Sequence, residues 1–319
     1  MTSGVPSVEP YDSGGLEVGD GHRLYWEAVG NPTGIPAVFL HGGPGSGASP
    51  VARGLFEPSR FRAFLFDQRG CGRSRPLITE RGVDLSTFTT DRLVADIERL
   101  REHFRVDRWL VVGVSWGVTL ALAYAQTHPQ RVTGMVLGAV TAGTRRDISW
   151  ITRDIGRVFP EQWHAFISLL PPAERSGNIA AGYLRLLADP DDAVREEAAR
   201  AWCAWEDTHV SLRPGWSPDP RYRDAGFRRV FATMVTHFWS HDCFLPDGQL
   251  FANMPTLAGI PAVVVHGRYD ISSPLDTAWR IHRAWPGSEL VIVDDAGHGG
   301  GSFLEILTAA ITRLGTEQP

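Results

Sequence analysis

Short apolar runs alternate with longer amphipathic stretches over most of the chain. Residues 37–40, 63–66, 109–112, 132–137, 262–265 and 289–293 read as strands. Several are apolar throughout, as strands covered on both faces by crossover helices are. Residues 89–104 and 117–127 read as helices. Upstream, 16–19 and 23–29 flank Asp20-Gly21 and read as a hairpin, because Asp-Gly supplies the positive φ of a tight turn. Residues 1–14, rich in Ser, Gly and Pro, read as a loose leader. The rhythm breaks between 141 and 256. That stretch has helical runs at 161–170, 191–205 and 228–239, a Pro-rich segment at 213–221, and no convincing strand. It contains Trp150, Trp163, Trp202, Trp205, Trp216 and Trp239. The strand–helix rhythm resumes near Ile260. The pattern predicts a doubly wound, mostly parallel sheet built from 1–140 and 257–319, with a helical insertion at 141–256.

Composition narrows the classes. The chain has 319 residues, 43% hydrophobic and 21% charged, which excludes long disorder and a fibrous fold. Net charge is −5 with no basic stripe, so no nucleic-acid partner is expected. No apolar run approaches the roughly 18 residues of a membrane span, and no membrane partner is expected. The first 30 residues carry Glu9, Asp12, Glu17 and Asp20 and no apolar run, unlike a secretory signal. Cys71, Cys203 and Cys243 stand far apart, without a C-x-x-C pair. That argues against a zinc site and fits a reducing compartment, so a soluble cytoplasmic protein is expected. The 11 Trp suit either a flat-walled pocket or a ring-rich core.

Gly113-Val114-Ser115-Trp116-Gly117 fits G-x-S-x-G between a predicted strand and a predicted helix. A sharp turn there lifts the serine hydroxyl above the sheet edge, and the helix N-terminus favours developing negative charge. A serine nucleophile needs a base, and the base needs an orienting acid. Asp270 follows the strand at 262–265 and His298 follows the strand at 289–293, in the order serine, acid, histidine. Asp276, Asp294 and Asp295 are rival acids, the last two too near the histidine in sequence to reach around it. His41-Gly42-Gly43-Pro44-Gly45 follows another strand. Its glycines admit close approach of a substrate carbonyl, so the N–H groups of Gly43 and Trp116 are the expected oxyanion donors. A phosphate loop is the competing reading, but no G-K-[ST] follows. Cys71 reads as a packed residue. His237 and His241 lack the intervening glutamate of a helical zinc motif.

These segments, with Asp67-Gln68-Arg69-Gly70-Cys71-Gly72-Arg73-Ser74, Gly267-Arg268-Tyr269-Asp270 and Gly297-His298, resemble the proline iminopeptidase family of α/β-hydrolases from about residue 16 to 314. The resemblance implies an α/β-hydrolase core with a helical cap. It also implies release of an N-terminal residue from a short peptide, with no metal and no cofactor. In the family, cap carboxylates bind the substrate's free amine. Glu206 matches one of them, whereas Val235 stands where a second is expected. Leu137-Gly138-Ala139-Val140-Thr141 replaces a family pattern of Arg and an aromatic. The expected substrate-binding positions are therefore Gly42, Glu206 and Val235, with Asp207 or Asp242 as stand-ins for the missing acid. The departures keep a second reading open, namely an esterase, amidase, lactonase or transacylase on a non-peptide substrate. An intact Ser115, Asp270 and His298 argue against a non-catalytic binding protein. A serine at the elbow, where a carboxylate is usual, argues against an epoxide hydrolase.

Overall fold

A computed structural model describes residues 8–316. The strands are β1 (Asp12–Gly19), β2 (His22–Gly30), β3 (Ile35–Leu40), β4 (Phe61–Phe66), β5 (Trp109–Val114), β6 (Val132–Gly138), β7 (Ala262–Gly267) and β8 (Ser288–Val293). They form an eight-stranded sheet in the order β1-β2-β4-β3-β5-β6-β7-β8. β1 and β2 pair antiparallel around Asp20 and Gly21, both at positive φ. From β4 through β8 the pairing is parallel.

The expected strands are all present, with ends moved by a few residues. The largest change is at β1, which begins at Asp12, inside the segment expected to be a loose leader. Its first half is an exposed edge with no apolar alternation to read. Gly14 and Gly15 leave room for the side chains of Trp26 and Arg23 to lie across it. Residues 1–7 of that leader lie outside the described residues.

Helices cover both sheet faces. α1 (Pro50–Arg53) and α11 (Phe303–Thr316) pack one face, contributing Ala52, Phe303, Leu307 and Ile311 to its core. α2 (Thr90–His103), α3 (Trp116–Thr127) and α10 (Leu275–Ala284) pack the other. α3 is apolar nearly all round because it is buried on every side, which hides its amphipathic signal.

Between β6 and β7 run α4 (Arg145–Thr152), α5 (Pro160–Ser168), α6 (Ile179–Leu187), α7 (Asp192–His209), α8 (Ala225–Ser240) and α9 (Gln249–Ala252). Three of these answer the predicted helical runs, and α4, α6 and α9 are additional. α4 and α6 start on side-chain caps, Thr144 with Asp147 in a capping box and Asn178 accepting from the Ala181 N–H. Helices α5–α8 bury a core of their own, in which Phe166 stacks on Tyr183 and Trp205, with Trp202 edge-on. The tail of the insertion packs elsewhere. Cys243, Leu250, Met254 and Leu257 join the core beneath α3, and Gln126 Nε2 donates to the Leu250 carbonyl at 2.7 Å. No described helix is long and apolar enough to cross a membrane.

Candidate active site

Ser115 is the one residue between β5 and α3, at φ 60° and ψ −125°. Two glycines make this turn possible. A Cβ on Gly113 would sit 2.4 Å from the Gly117 carbonyl oxygen, and one on Gly117 would sit 2.0 Å from the Leu40 carbonyl oxygen. The Ser115 N–H is tied to the Gly138 carbonyl at 2.9 Å, and the Thr141 hydroxyl donates to the Ser115 carbonyl at 3.0 Å. Thr141 thus has a local use where the resemblance implied an aromatic. Gly138, where the resemblance implied an arginine, is a crowded position, because Leu307 and Phe303 would each lie 3.1 Å from an added Cβ.

The loops after β7 and β8 bring Asp270 and His298 to this turn. His298 Nδ1 donates to Asp270 Oδ2 at 2.8 Å. That leaves Nε2, 2.9 Å from Ser115 Oγ, as the acceptor of the hydroxyl proton. Asp270 is buried, and its other oxygen accepts from the Ser273 N–H at 2.9 Å. The rival acids are engaged elsewhere: Asp294 with Arg268, Asp295 with Ser302 and Asp276 with Arg146.

Burial opposes both charges of the Asp270–His298 pair, but their mutual attraction prevails. Asp270 is held below the usual carboxylate range by His298 and His266. His298 is raised above the ordinary imidazole value by the Asp270 charge and hydrogen bond, helped by Glu206.

The Trp116 N–H opens α3 and has no acceptor within the helix. Among the described residues the Gly43 N–H likewise has no backbone or side-chain acceptor. Both residues line the cavity of about 320 Å³ onto which Ser115 and His298 open. Gly42 lines it too, where an added Cβ would come 3.0 Å from Ser115 Cβ.

Glu206 reaches the same cavity from the last turns of α7 and is 7% exposed. Trp202 Nε1 donates to it at 3.1 Å, and His209 Nε2 lies 3.6 Å away. Burial pushes its pKa up to about 7, although the nearby His298 acts in the opposite sense. Every cation of this lysine-free chain is an arginine or a histidine. Among the described residues no arginine pairs with Glu206. His209, fully buried, has no hydrogen-bond partner for either ring nitrogen among the described residues, and burial drives its pKa down to about 3. Its strategic place escaped the sequence reading because nothing in Thr208-His209-Val210 marks a helix end at the active site.

Val235 requires a correction. It was expected to border the substrate, but it is fully buried among the rings of the α5–α8 core and does not line the cavity. The α8 residues that line the cavity are Phe231 and Trp239, one turn to either side of Val235, which the α5–α8 core covers. Of the two stand-in acids, Asp242 is paired with Arg145 at 2.9 Å, outside the cavity. Asp207 lines the cavity and accepts from the Asp219 N–H at 2.9 Å.

Cys71 is buried, and burial raises its thiol well above the ordinary range, which makes it a poor nucleophile. His237 donates Nε2–H to the Phe88 carbonyl at 3.0 Å. Among the described residues no group of three or more His, Cys, Asp or Glu could hold a metal ion.

The sheet order and the serine turn after β5 are those of an α/β-hydrolase. Residues 36–301 match the family model described as alpha/beta hydrolase fold. A probable proline iminopeptidase of Streptomyces coelicolor is 50% identical over 93% of this chain and 93% of its own length. Another, from Leptolyngbya boryana, is 44% identical over 96% of this chain and 94% of its own. The crystal structure of proline iminopeptidase from Mycobacterium smegmatis superposes with a TM-score of 0.64 at 17% identity, covering 96% of this chain and 99% of the other. That last likeness speaks for the fold alone. The chain belongs to the proline iminopeptidase family of α/β-hydrolases, and it is a serine hydrolase.

Two outcomes follow from this geometry. Phosphonylation of Ser115 by a neutral fluorophosphonate needs unprotonated His298, so its rate falls as pH drops through a value above about 6.5, the ordinary imidazole pKa. Asp270→Asn moves that limb to lower pH and lowers the plateau, as a stopped-time labelling series across pH reads directly. Val235→Glu buries a carboxylate among aromatic rings, so it lowers the melting temperature by several degrees and adds no activity on amine-bearing substrates.

Proposed function

We propose that this chain is a serine aminopeptidase that removes an N-terminal proline, or a similar small residue, from short peptides through an acyl-enzyme. The observation that carries the reading is Glu206. It is a buried carboxylate with no arginine partner among the described residues, and it faces the same cavity as Ser115 and His298. A substrate ammonium is the cation that this arrangement lacks. The names carried by relatives at 44–50% identity support the same substrate class.

In this mechanism Ser115 Oγ attacks the carbonyl of the first residue while its proton passes to His298 Nε2. Asp270 keeps the imidazole oriented and stabilises the imidazolium. The N–H groups of Gly43 and Trp116 receive the oxyanion. Collapse of the tetrahedral intermediate breaks the peptide bond, and His298 returns the proton to the leaving amine. Water, deprotonated by His298, then attacks the ester and releases the amino acid. Each step uses groups on the chain, and none calls on a metal or cofactor.

The cavity suits a small molecule or short peptide, and a net charge of −5 does not favour nucleic acid. A cytoplasmic setting accords with Cys71, Cys203 and Cys243 remaining as free, buried thiols. Helices α5–α8 act as the cap that supplies Glu206. A second reading, a hydrolase or transacylase for a neutral acyl group, is favoured by the α8 residues that line the cavity, Phe231 and Trp239, neither of which is a carboxylate.

The deciding measurement pairs prolyl and alanyl arylamides with short neutral acyl esters. Wild type is expected to prefer the amine-bearing substrates. Glu206→Gln lowers kcat/KM on the prolyl arylamide at least tenfold and leaves the ester within about twofold. Ser115→Ala abolishes both activities and all fluorophosphonate labelling. Wild-type preference for the neutral ester, or equal losses in Glu206→Gln, would transfer the assignment to the second reading.

A further inference from the structure

The residues that follow α7 do more than leave the helix. The Val210 carbonyl accepts from the backbone N–H of His298 at 3.3 Å. Two residues on, the Leu212 N–H donates to the carbonyl of Tyr269, the residue before Asp270, at 3.1 Å. Arg213 Nε then donates to the Asp295 carbonyl at 3.0 Å, on the loop that leads into His298. Between these bonds Ser211 sits against Gly297. A Cβ on Gly297 would lie 1.9 Å from Ser211 Oγ and 2.7 Å from Ser211 Cβ. Ser211 cannot swing aside cheaply, because its Oγ accepts from the Arg213 N–H at 3.0 Å and so closes a local turn.

We propose that residues 210–213 form a positioning clamp, through which the helical insertion holds both active-site loops and sets His298 against Ser115. The proposal rests on the roles of Ser115, His298 and Asp270 and is independent of what Glu206 binds. The physical case is one of rigidity. The Asp270 loop is also held by Trp150 Nε1, which donates to the Ile271 carbonyl at 2.7 Å, but the His298 loop is otherwise tied mainly to the Asp270 loop, as in the Tyr269 N–H to Ala296 carbonyl bond of 2.8 Å. Without more, the His298 loop can drift relative to the serine turn. The clamp adds contacts from a different element, one anchored in the α5–α8 core by Trp202 and Trp205. A displacement of about 1 Å at a reacting group can cost on the order of 10²-fold in rate, so contacts that hold His298 in place affect turnover without touching substrate.

The test uses the full chain and a neutral acyl ester, so that amine recognition plays no part. Gly297 lies outside the left-handed region, so alanine can adopt its backbone and only the contact with Ser211 is changed. Gly297→Ala is expected to lower kcat and the rate of fluorophosphonate labelling at least tenfold, with KM within twofold. Ser211→Gly alone loses the local turn and lowers kcat two- to fivefold. In the double variant the space returns, and kcat recovers to the level of Ser211→Gly. Arg213→Ala adds no steric load and lowers kcat two- to fivefold at unchanged KM. If Gly297→Ala does not fold, as judged by its thermal transition, Arg213→Ala decides. Wild-type kcat in the variant that decides, a loss confined to KM, or a double variant no better than Gly297→Ala overturns the clamp. Labelling that persists in Ser115→Ala would instead overturn the nucleophile assignment beneath it.

Discussion

The left-handed backbone at Ser115 is the constraint on which the rest of the site depends. A non-glycine residue held at φ 60° costs on the order of 1–3 kcal/mol and persists only where its neighbours allow nothing else. Here they do so by proximity. The backbone of Leu40 lies against Gly117, the Gly117 carbonyl lies against Gly113, and Gly42 lies against Ser115 itself. The ends of β3 and β5 and the start of α3 therefore converge on one turn, and a side chain at any of these glycines would force them apart. The hydroxyl is lifted clear of the sheet as a result, at the N-terminus of a helix with unpaired N–H groups.

A framework of buried charge holds the oxyanion loop to that turn. Trp116 Nε1 donates to Gln68 Oε1 at 3.0 Å, and Gln68 Nε2 donates to the His41 carbonyl at 2.9 Å. The elbow and the His41-Gly42-Gly43 loop are thus joined through one amide. Gln68 is in turn fixed on both sides. Arg69 makes a bidentate pair with buried Asp96, both bonds at 2.7 Å, and Asp67 receives Arg73. Desolvation makes such pairs poor sources of net stability. What they contribute here is direction, because a guanidinium fork and a carboxylate accept only a narrow range of relative positions.

The α/β core was legible because its physics is local. Strands buried on both faces must be apolar throughout, and the turn after β5 must carry small residues. Both facts are written in consecutive residues, so Ser115, Asp270 and His298 could be named from their order at strand ends. The helical insertion was less legible. Its helices were only half found, because α6 begins on the single cap Asn178 and α4 on the Thr144–Asp147 box, which look like ordinary loop polarity. The orientation of α8 was misjudged for a related reason. The polar positions Thr233, Thr236 and His237 of α8 are themselves buried and mark no solvent face, so Val235 gave no sign that it packs in the core rather than against substrate. The contacts of Ser211 and Leu212 with the active-site loops were invisible, since they depend on backbone atoms brought together across 56 or more residues of the chain, as for Tyr269.

With Val235 in the core, the buried acid that faces the cavity is Glu206 on α7. With no carboxylate on α8, Glu206 is left in an apolar setting where Trp202 is its one hydrogen-bond donor among the described residues. Burial is then the dominant influence on its proton, and the group titrates near neutrality rather than near the usual carboxylate value. Asp207, the neighbouring acid that also lines the cavity, does not relieve this, because two nearby carboxylates oppose each other's ionisation. The same helix that offers this acid ends one turn later against the backbone of His298. Glu206 and the backbone of His298 are consequently referred to one rigid element, so that whatever orients α7 orients both.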